Sequence, residues 1–225
     1  MNILRVWSGA AIGILLLSWQ LSGTASAFEL GAADVQLEPY VKGGTLAWDE
    51  LQGIGGHKSL IAAGLNGLAS FDAIGAGFNF EKWWLGERLD DDKGIIPDEG
   101  HRLFADARYF FKPTEHLRLY PFAGLGYEHW SRHDAAGSWR SIDFPYWSVG
   151  GGAEYQNSYL KLGFLMPFAA GADSGPDPKS RVGLTADAGL RFSNVTVGVF
   201  FRSLGFEDPD AKMVQTGVML GYTFR

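Results

Sequence analysis

The chain contains no cysteine, so neither a disulfide framework nor a lipoprotein anchor is available to it, and stability must come from the backbone ladder and side-chain packing. After Phe28 no stretch approaches the roughly 18 to 20 consecutive apolar residues that a membrane helix requires. Basic excess is missing too. The net charge is -6 and no basic cluster offsets it, which argues against a nucleic-acid surface. What is plentiful is glycine, 31 residues, and aromatic side chains, 14% of the total. A transmembrane β-barrel is the membrane architecture that passes a hydropathy scan unnoticed, because only alternate residues need to face lipid.

The N-terminus supplies a compartment. Arg5 precedes the apolar run "AAIGILLL" (10–17), and small residues follow at Ala25 to Ala27. The apolar core is too short to span a bilayer comfortably and leads into a small-residue cleavage pattern, which reads as a secretory signal peptide, residues 1–27, cut after Ala27. The mature chain, 28–225, then holds about 198 residues, enough for one domain with a sizeable core.

Periodicity tests the barrel. In "RVGLTADAGLRF", Val182, Leu184, Ala186, Ala188, Leu190 and Phe192 share one face while Gly183, Thr185, Asp187, Gly189 and Arg191 share the other. A helix would mix these sets. "WSVGGGAEY" and "YLKLGFLMPF" repeat the alternation. Extended along the chain, the pattern predicts about ten strands, near 36–48, 58–70, 73–88, 101–112, 117–133, 143–156, 159–170, 180–193, 195–206 and 212–224, with eight strands the alternative if one hairpin is misread. The first hairpin, rich in small residues, has the weakest register signal.

Connections alternate in length. Tight turns fall at "SFDA", "KPTEH", "QNSY" and "FSNV". Longer polar loops intervene, such as "DELQGIGGHK", "LDDDKGIIPDEG" and "AGADSGPDPK". Short periplasmic turns and longer extracellular loops are the pattern of an outer-membrane barrel. Trp48, Trp83, Trp84, Trp130, Trp139 and Trp147 lie at the loop-side ends of predicted strands, and Phe111, Tyr120, Tyr155, Tyr159, Phe192, Tyr222 and Phe224 mark the turn side. That distribution predicts two aromatic girdles.

The ending "QTGVMLGYTFR" resembles the C-terminal β-signal of Gram-negative outer-membrane proteins, with Gln215, Gly217, Leu220, Tyr222 and Phe224 in the family's polar, glycine, hydrophobic and aromatic places; Arg225 departs from it by displacing Phe224 from the last position. The mature chain is similar to small OmpA/OmpX-like outer-membrane barrels, and "YPFAGLGYEHW" (120–130) resembles a strand of uncharacterised members of that broad group. The resemblance implies an all-β, antiparallel up-and-down transmembrane barrel in the outer membrane. It also implies contact with outer-membrane lipid and lipopolysaccharide, and handling by periplasmic chaperones and the barrel assembly machinery. It says little about activity. Any extracellular ligand of the loops stays unnamed.

With lipid-facing positions assigned, the inward set includes Glu38, Lys42, Asn79, Glu81, Asp106, Arg108, Arg118, Glu128, Glu154, Lys161, Asp187, Arg191 and Arg202. Acids and bases are about equal, as a narrow, charge-paired, mostly closed interior requires. Inward glycines such as Gly75, Gly77, Gly124, Gly126, Gly150 and Gly152 leave room on some strands and keep open a narrow ion or solute channel. The expected role is structural or surface-interactive, without catalysis.

Two enzyme alternatives have residues to point to. His129 and Ser131 share a strand face, with Asp143 on the next strand, and this resembles the histidine-x-serine pair of the lipid A deacylase barrels. There serine attacks an ester, histidine takes its proton and an acid orients the ring. Arg132 replaces the family's asparagine, and Asp143 stands where a glutamate is expected. The omptin proteases are also ten-stranded barrels with acids and histidines at the rim; Asp90, Asp91, Asp92, His101, His129, His133 and Asp134 supply the types without matching the motif. The run "LDDDKG" lacks the spacing of an EF-hand loop and reads as solvated. No metal site, phosphate-binding glycine loop or cofactor fingerprint is present in the sequence, so no cofactor is expected.

Overall fold

The computed structural model describes residues 33–49, 56–88, 98–133, 139–168, 171–172, 179–208 and 210–224. The proposed signal peptide and the acidic run at 89–94 lie outside them. Among these residues the chain is almost entirely strand and contains no helix. Ten long strands follow in order: β1 Asp34–Asp49, β2 Gly56–Phe71, β3 Ile74–Arg88, β4 Glu99–Tyr109, β6 Leu117–His133, β7 Trp139–Tyr155, β8 Ser158–Pro167, β10 Lys179–Phe192, β11 Val195–Asp208 and β12 Asp210–Tyr222. Two short pieces extend them: β5, Phe111–Thr114, pairs with β6, and β9, Gly171–Ala172, pairs with β7.

Each long strand pairs antiparallel with its neighbour in sequence, and β1 pairs with β12 from Tyr40↔Gly221 to Asp49↔Lys212. The sheet therefore closes into a ten-stranded barrel, which removes every exposed edge. Leu37 and Phe224 exchange backbone hydrogen bonds of 3.0 and 2.7 Å, so the closing seam continues beyond the end of β12. The first hairpin holds one continuous register, from Asp34↔Ser70 to Trp48↔Gly56.

Four hairpin turns lie at one end of the barrel, at 72–73, 115–116, 156–157 and 193–194. Asp72, Gln156 and Ser193 adopt φ of 51°, 51° and 56°. This left-handed region costs an L-residue roughly 1–2 kcal/mol, an amount the two-residue hairpin geometry offsets by keeping the strands in register.

The alternation in the sequence becomes two surfaces. Phe78, Phe80, Leu103, Leu125, Leu162, Phe164, Leu184, Val199, Val218 and Leu220 stand exposed on the outside, the apolar belt of a transmembrane barrel. An arginine at Ala186, which faces outward in mid-belt between Leu162 and Phe201, should cost about 2–4 kcal/mol of folding into bilayers; one at Leu190, near the turn end, should cost about 0–1 kcal/mol. Urea titration of the heat-shifted gel band measures both. Equal, negligible effects would contradict the inside-outside assignment.

Candidate functional site

The girdle expectation needs correction. Trp84 and Trp147 are outward and exposed, as are Phe111, Tyr155 and Phe192, but Trp83, Trp130 and Tyr120 point into the lumen and are buried. So does Tyr159, whose ring underlies the Arg191 guanidinium at 5.0 Å. The strand register explains the tryptophans. Trp83 and Trp130 flank Gly100 directly across β3, β4 and β6. A Cβ on Gly100 would lie 2.7 Å from Trp83 and 3.0 Å from Trp130. The bare glycine lets the two indoles meet over it, stacked with centroids 4.4 Å apart and planes within 10°. Around them Leu46, Leu60, Phe144, Leu204 and Met213 are fully buried. Together they plug the loop end of the lumen.

One row closer to the turns, the same three strands bring Glu81, Arg102 and Glu128 into register. Each glutamate accepts a hydrogen bond from the indole two residues along its own strand, Trp83 to Glu81 and Trp130 to Glu128. Glu81 also meets Lys42 at 2.7 Å, Arg102 at 3.5 Å and the Tyr40 hydroxyl, which donates at 2.6 Å. Glu128 meets Arg202, and both side chains are almost wholly buried, 0% and 3% exposed. Such a pair is costly to desolvate and costlier to break.

Toward the turn end the remaining charges pair in shared groups. Asp106 meets Arg108 at 2.5 Å and Lys161 at 3.2 Å, and Glu154 meets Arg118 at 2.5 Å and Arg191 at 3.3 Å. Glu38 accepts hydrogen bonds from Thr196, Thr223 and Asn66. Asn79 donates to Tyr40 and Asn66 and accepts from Arg102. Asp187 lies opposite Lys161 in the register and lines the lumen cavity. Arg102, Tyr40 and Asn66 belong to this network although the sequence reading omitted them. Arg102 was findable, since it shares an even spacing with Asp106 and Arg108 in "HRLFADARYF".

The glycine expectation also changes. Inward glycines seat aromatic rings rather than opening a path: Tyr120 lies opposite Gly152 and Tyr146 opposite Gly126 in the register, and a Cβ on Gly126 would come within 2.1 Å of the Tyr146 ring. Cross-strand ring-over-glycine pairing pins register. Gly126→Leu should destabilise the barrel by about 1–3 kcal/mol through overpacking, and adding Tyr146→Ala should return part of that loss in urea titration. An additive double variant would show that the ring and the glycine do not interact.

Between plug and turns lies a cavity of about 170 Å³. Exposure rises along the axis, from Glu81 at 2% through Glu154 at 16% to Arg118 at 23% and Arg191 at 30% of the side chain. Among the described residues the lumen is a cup open at the turn end.

On the outer surface, above the apolar belt, His129 Nδ1 lies 2.7 Å from Asp143 Oδ1, and the Tyr127 hydroxyl donates to the same carboxylate. The His101 ring stacks on His129 at 5.0 Å, and Lys82 pairs with Glu99 at 2.7 Å. Ser131 is on the same face as His129, opposite Ser141. Among the described residues no hydrogen bond joins Ser131 to His129, and no group of three or more acids or histidines is placed to hold a metal ion. The side chains of Arg132 and His133 lie outside the described residues, as do Asp90, Asp91, Asp92 and Asp134. Gln215 and Gly217 face the lumen, while Leu220, Tyr222 and Phe224 face outward, all on the closing strand or its continuation.

A closed barrel with an apolar exterior, a charged interior and hairpin turns gathered at one end is an integral membrane β-barrel of the outer-membrane type. No protein-family model and no curated protein matches the sequence. Among solved structures the chain is similar to the outer membrane protease OmpT from Escherichia coli, at 14% identity and TM-score 0.45, covering 89% of this chain and 99% of that one. It is similar also to an outer membrane channel from Pseudomonas putida F1, at 10% identity and TM-score 0.44, covering 89% and 98%. A third is the translocator domain of the autotransporter NalP from Neisseria meningitidis, at 11% identity and TM-score 0.40, covering 96% and 97%. A protease, a channel and a translocator share no activity, and none is carried over from them.

Proposed function

We propose that the chain is a Gram-negative outer-membrane protein, exported with a signal peptide cut after Ala27, whose barrel is closed to conduction and serves a structural or surface-interaction role. Its turns face the periplasm and its longer loops the exterior, with lipopolysaccharide around the outer rim and the β-signal presented to the assembly machinery. The observation that carries this reading is the plug, in which two stacked indoles and a buried Glu128–Arg202 pair fill the loop end of the lumen.

A second reading has one observation behind it. The Asp143 carboxylate holds His129 on the lipid-facing surface at 2.7 Å, the orienting contact that a lipid A deacylase-like site would use, with Ser131 two residues along, at about 6.6 Å by strand rise. Tyr127 shares that carboxylate, which fits a rim hydrogen-bond cluster equally well. Lipid A mass spectrometry of cells that make the folded protein decides between them. The structural role predicts an unchanged mass. Loss of an acyl chain that His129→Ala abolishes would replace it with the enzyme.

A further inference from the structure

We infer that the cup at the turn end of the lumen is a binding site for a small organic anion, a solute bearing a carboxylate or phosphate group. Its wall presents six cationic side chains against three carboxylates, Glu38, Glu154 and Asp187. The imbalance arises because Glu81, Asp106 and Glu128, at 2%, 1% and 0% side-chain exposure, are tucked behind the cations they neutralise. A solute in the cup therefore touches more cationic than anionic groups.

Hydrogen-bond donors inside the cup are also left over. Among the described residues Arg202, at 2% exposure, has no hydrogen-bond partner for Nε or Nη1, although its guanidinium lines the cavity beside the Tyr146 ring. Arg191 Nε and the Tyr159 hydroxyl, nearer the mouth, are likewise buried without partners among the described residues. Buried donors left unpaired cost roughly 1–3 kcal/mol each, and an oxyanion is the acceptor that satisfies several at once. The cavity has room for about ten waters, or for one short dicarboxylate or phosphate ester. Entry is from the turn end, and the plug closes the far side.

Isothermal titration of the folded mature protein in detergent tests this, with succinate and inorganic phosphate as probes and succinamide as the uncharged control. The expected result is saturable binding of at least one anion and none of succinamide. Tyr159→Phe should weaken that binding about tenfold to a hundredfold, the effect of one hydrogen bond to a charged acceptor. The double variant Glu128→Leu/Arg202→Met, which removes the deep donor without stranding its counter-charge, should weaken it at least tenfold. If the double variant gives no heat-shifted band, Tyr159→Phe and succinamide decide alone. Absence of saturable binding, equal binding of succinamide, or unchanged affinity in the folded variants would overturn the site and leave a lumen filled with water only.

Discussion

Arg202→Met will destabilise the barrel by about 3–5 kcal/mol, because it leaves the fully buried Glu128 carboxylate without its counter-charge. Glu128 is 0% exposed, and among the described residues its polar neighbours besides Arg202 are the Trp130 indole and, opposite in the register, Arg102, which Glu81 already engages. The double variant Glu128→Leu/Arg202→Met should recover most of the loss, since replacing a buried pair by apolar groups of similar volume is often neutral. Urea titration of the heat-shifted band for the two single variants and the double gives the coupling directly. A pair that mattered little would show two small, additive losses. The expected pattern is instead a large loss in each single variant and a near-complete return in the double, which would place the pair in the plug as a unit.

Trp83→Ala/Trp130→Ala will open the loop end. Each indole is fully buried, and truncating a buried tryptophan typically costs about 3–5 kcal/mol. At this site the larger consequence is a void running from the cation-lined cup toward the loops, because Gly100 beneath the stack has no side chain to fill it. In planar bilayers the variant should show discrete conductance steps that the parent lacks. The cationic excess of the cup wall predicts a preference for anions. Steps identical in parent and variant, or silence from a folded variant, would show that the indoles do not close the barrel.

Most of the barrel was legible in the sequence. Strands with apolar positions every second residue, as in 182–192, can bury one face only by curling into a closed sheet, and the tight turns at 70–73, 156–159 and 192–195 fix which ends meet. The lumen was legible as a set of charges but not as a packed interior. Tryptophan at the end of a strand reads as a rim residue because the interface favours it, and nothing local in "FEKWW" or "YEHWS" says which of its faces the indole takes. Parity does. Trp83 shares its face with Glu81 and Trp130 with Glu128, so once the glutamates are placed inside, their indoles must follow. The glycines misled for a related reason. Gly126 and Gly152 look like empty space along one strand, and only cross-strand register reveals that Tyr146 and Tyr120 occupy it. Register of this kind depends on shear around the whole barrel, which no single segment encodes. The rim was different again: Asp143 was set beside His129 through the resemblance to a histidine-x-serine pair with an acid on the next strand, and the structure brings the two to 2.7 Å, while nothing in that pattern points to Tyr127 as a second donor to Asp143.

Single-channel recording of the folded mature protein in a planar bilayer tests the plugged lumen most directly, with the heat-shifted gel band confirming that the inserted protein is folded. The proposed plug predicts silence at neutral pH and ordinary salt, since Trp83 and Trp130 stack within a buried apolar shell at the loop end of the lumen. Discrete, charge-selective steps from the unmodified protein, altered by neutralising Arg191 or Glu154, would contradict it and make the chain a narrow channel.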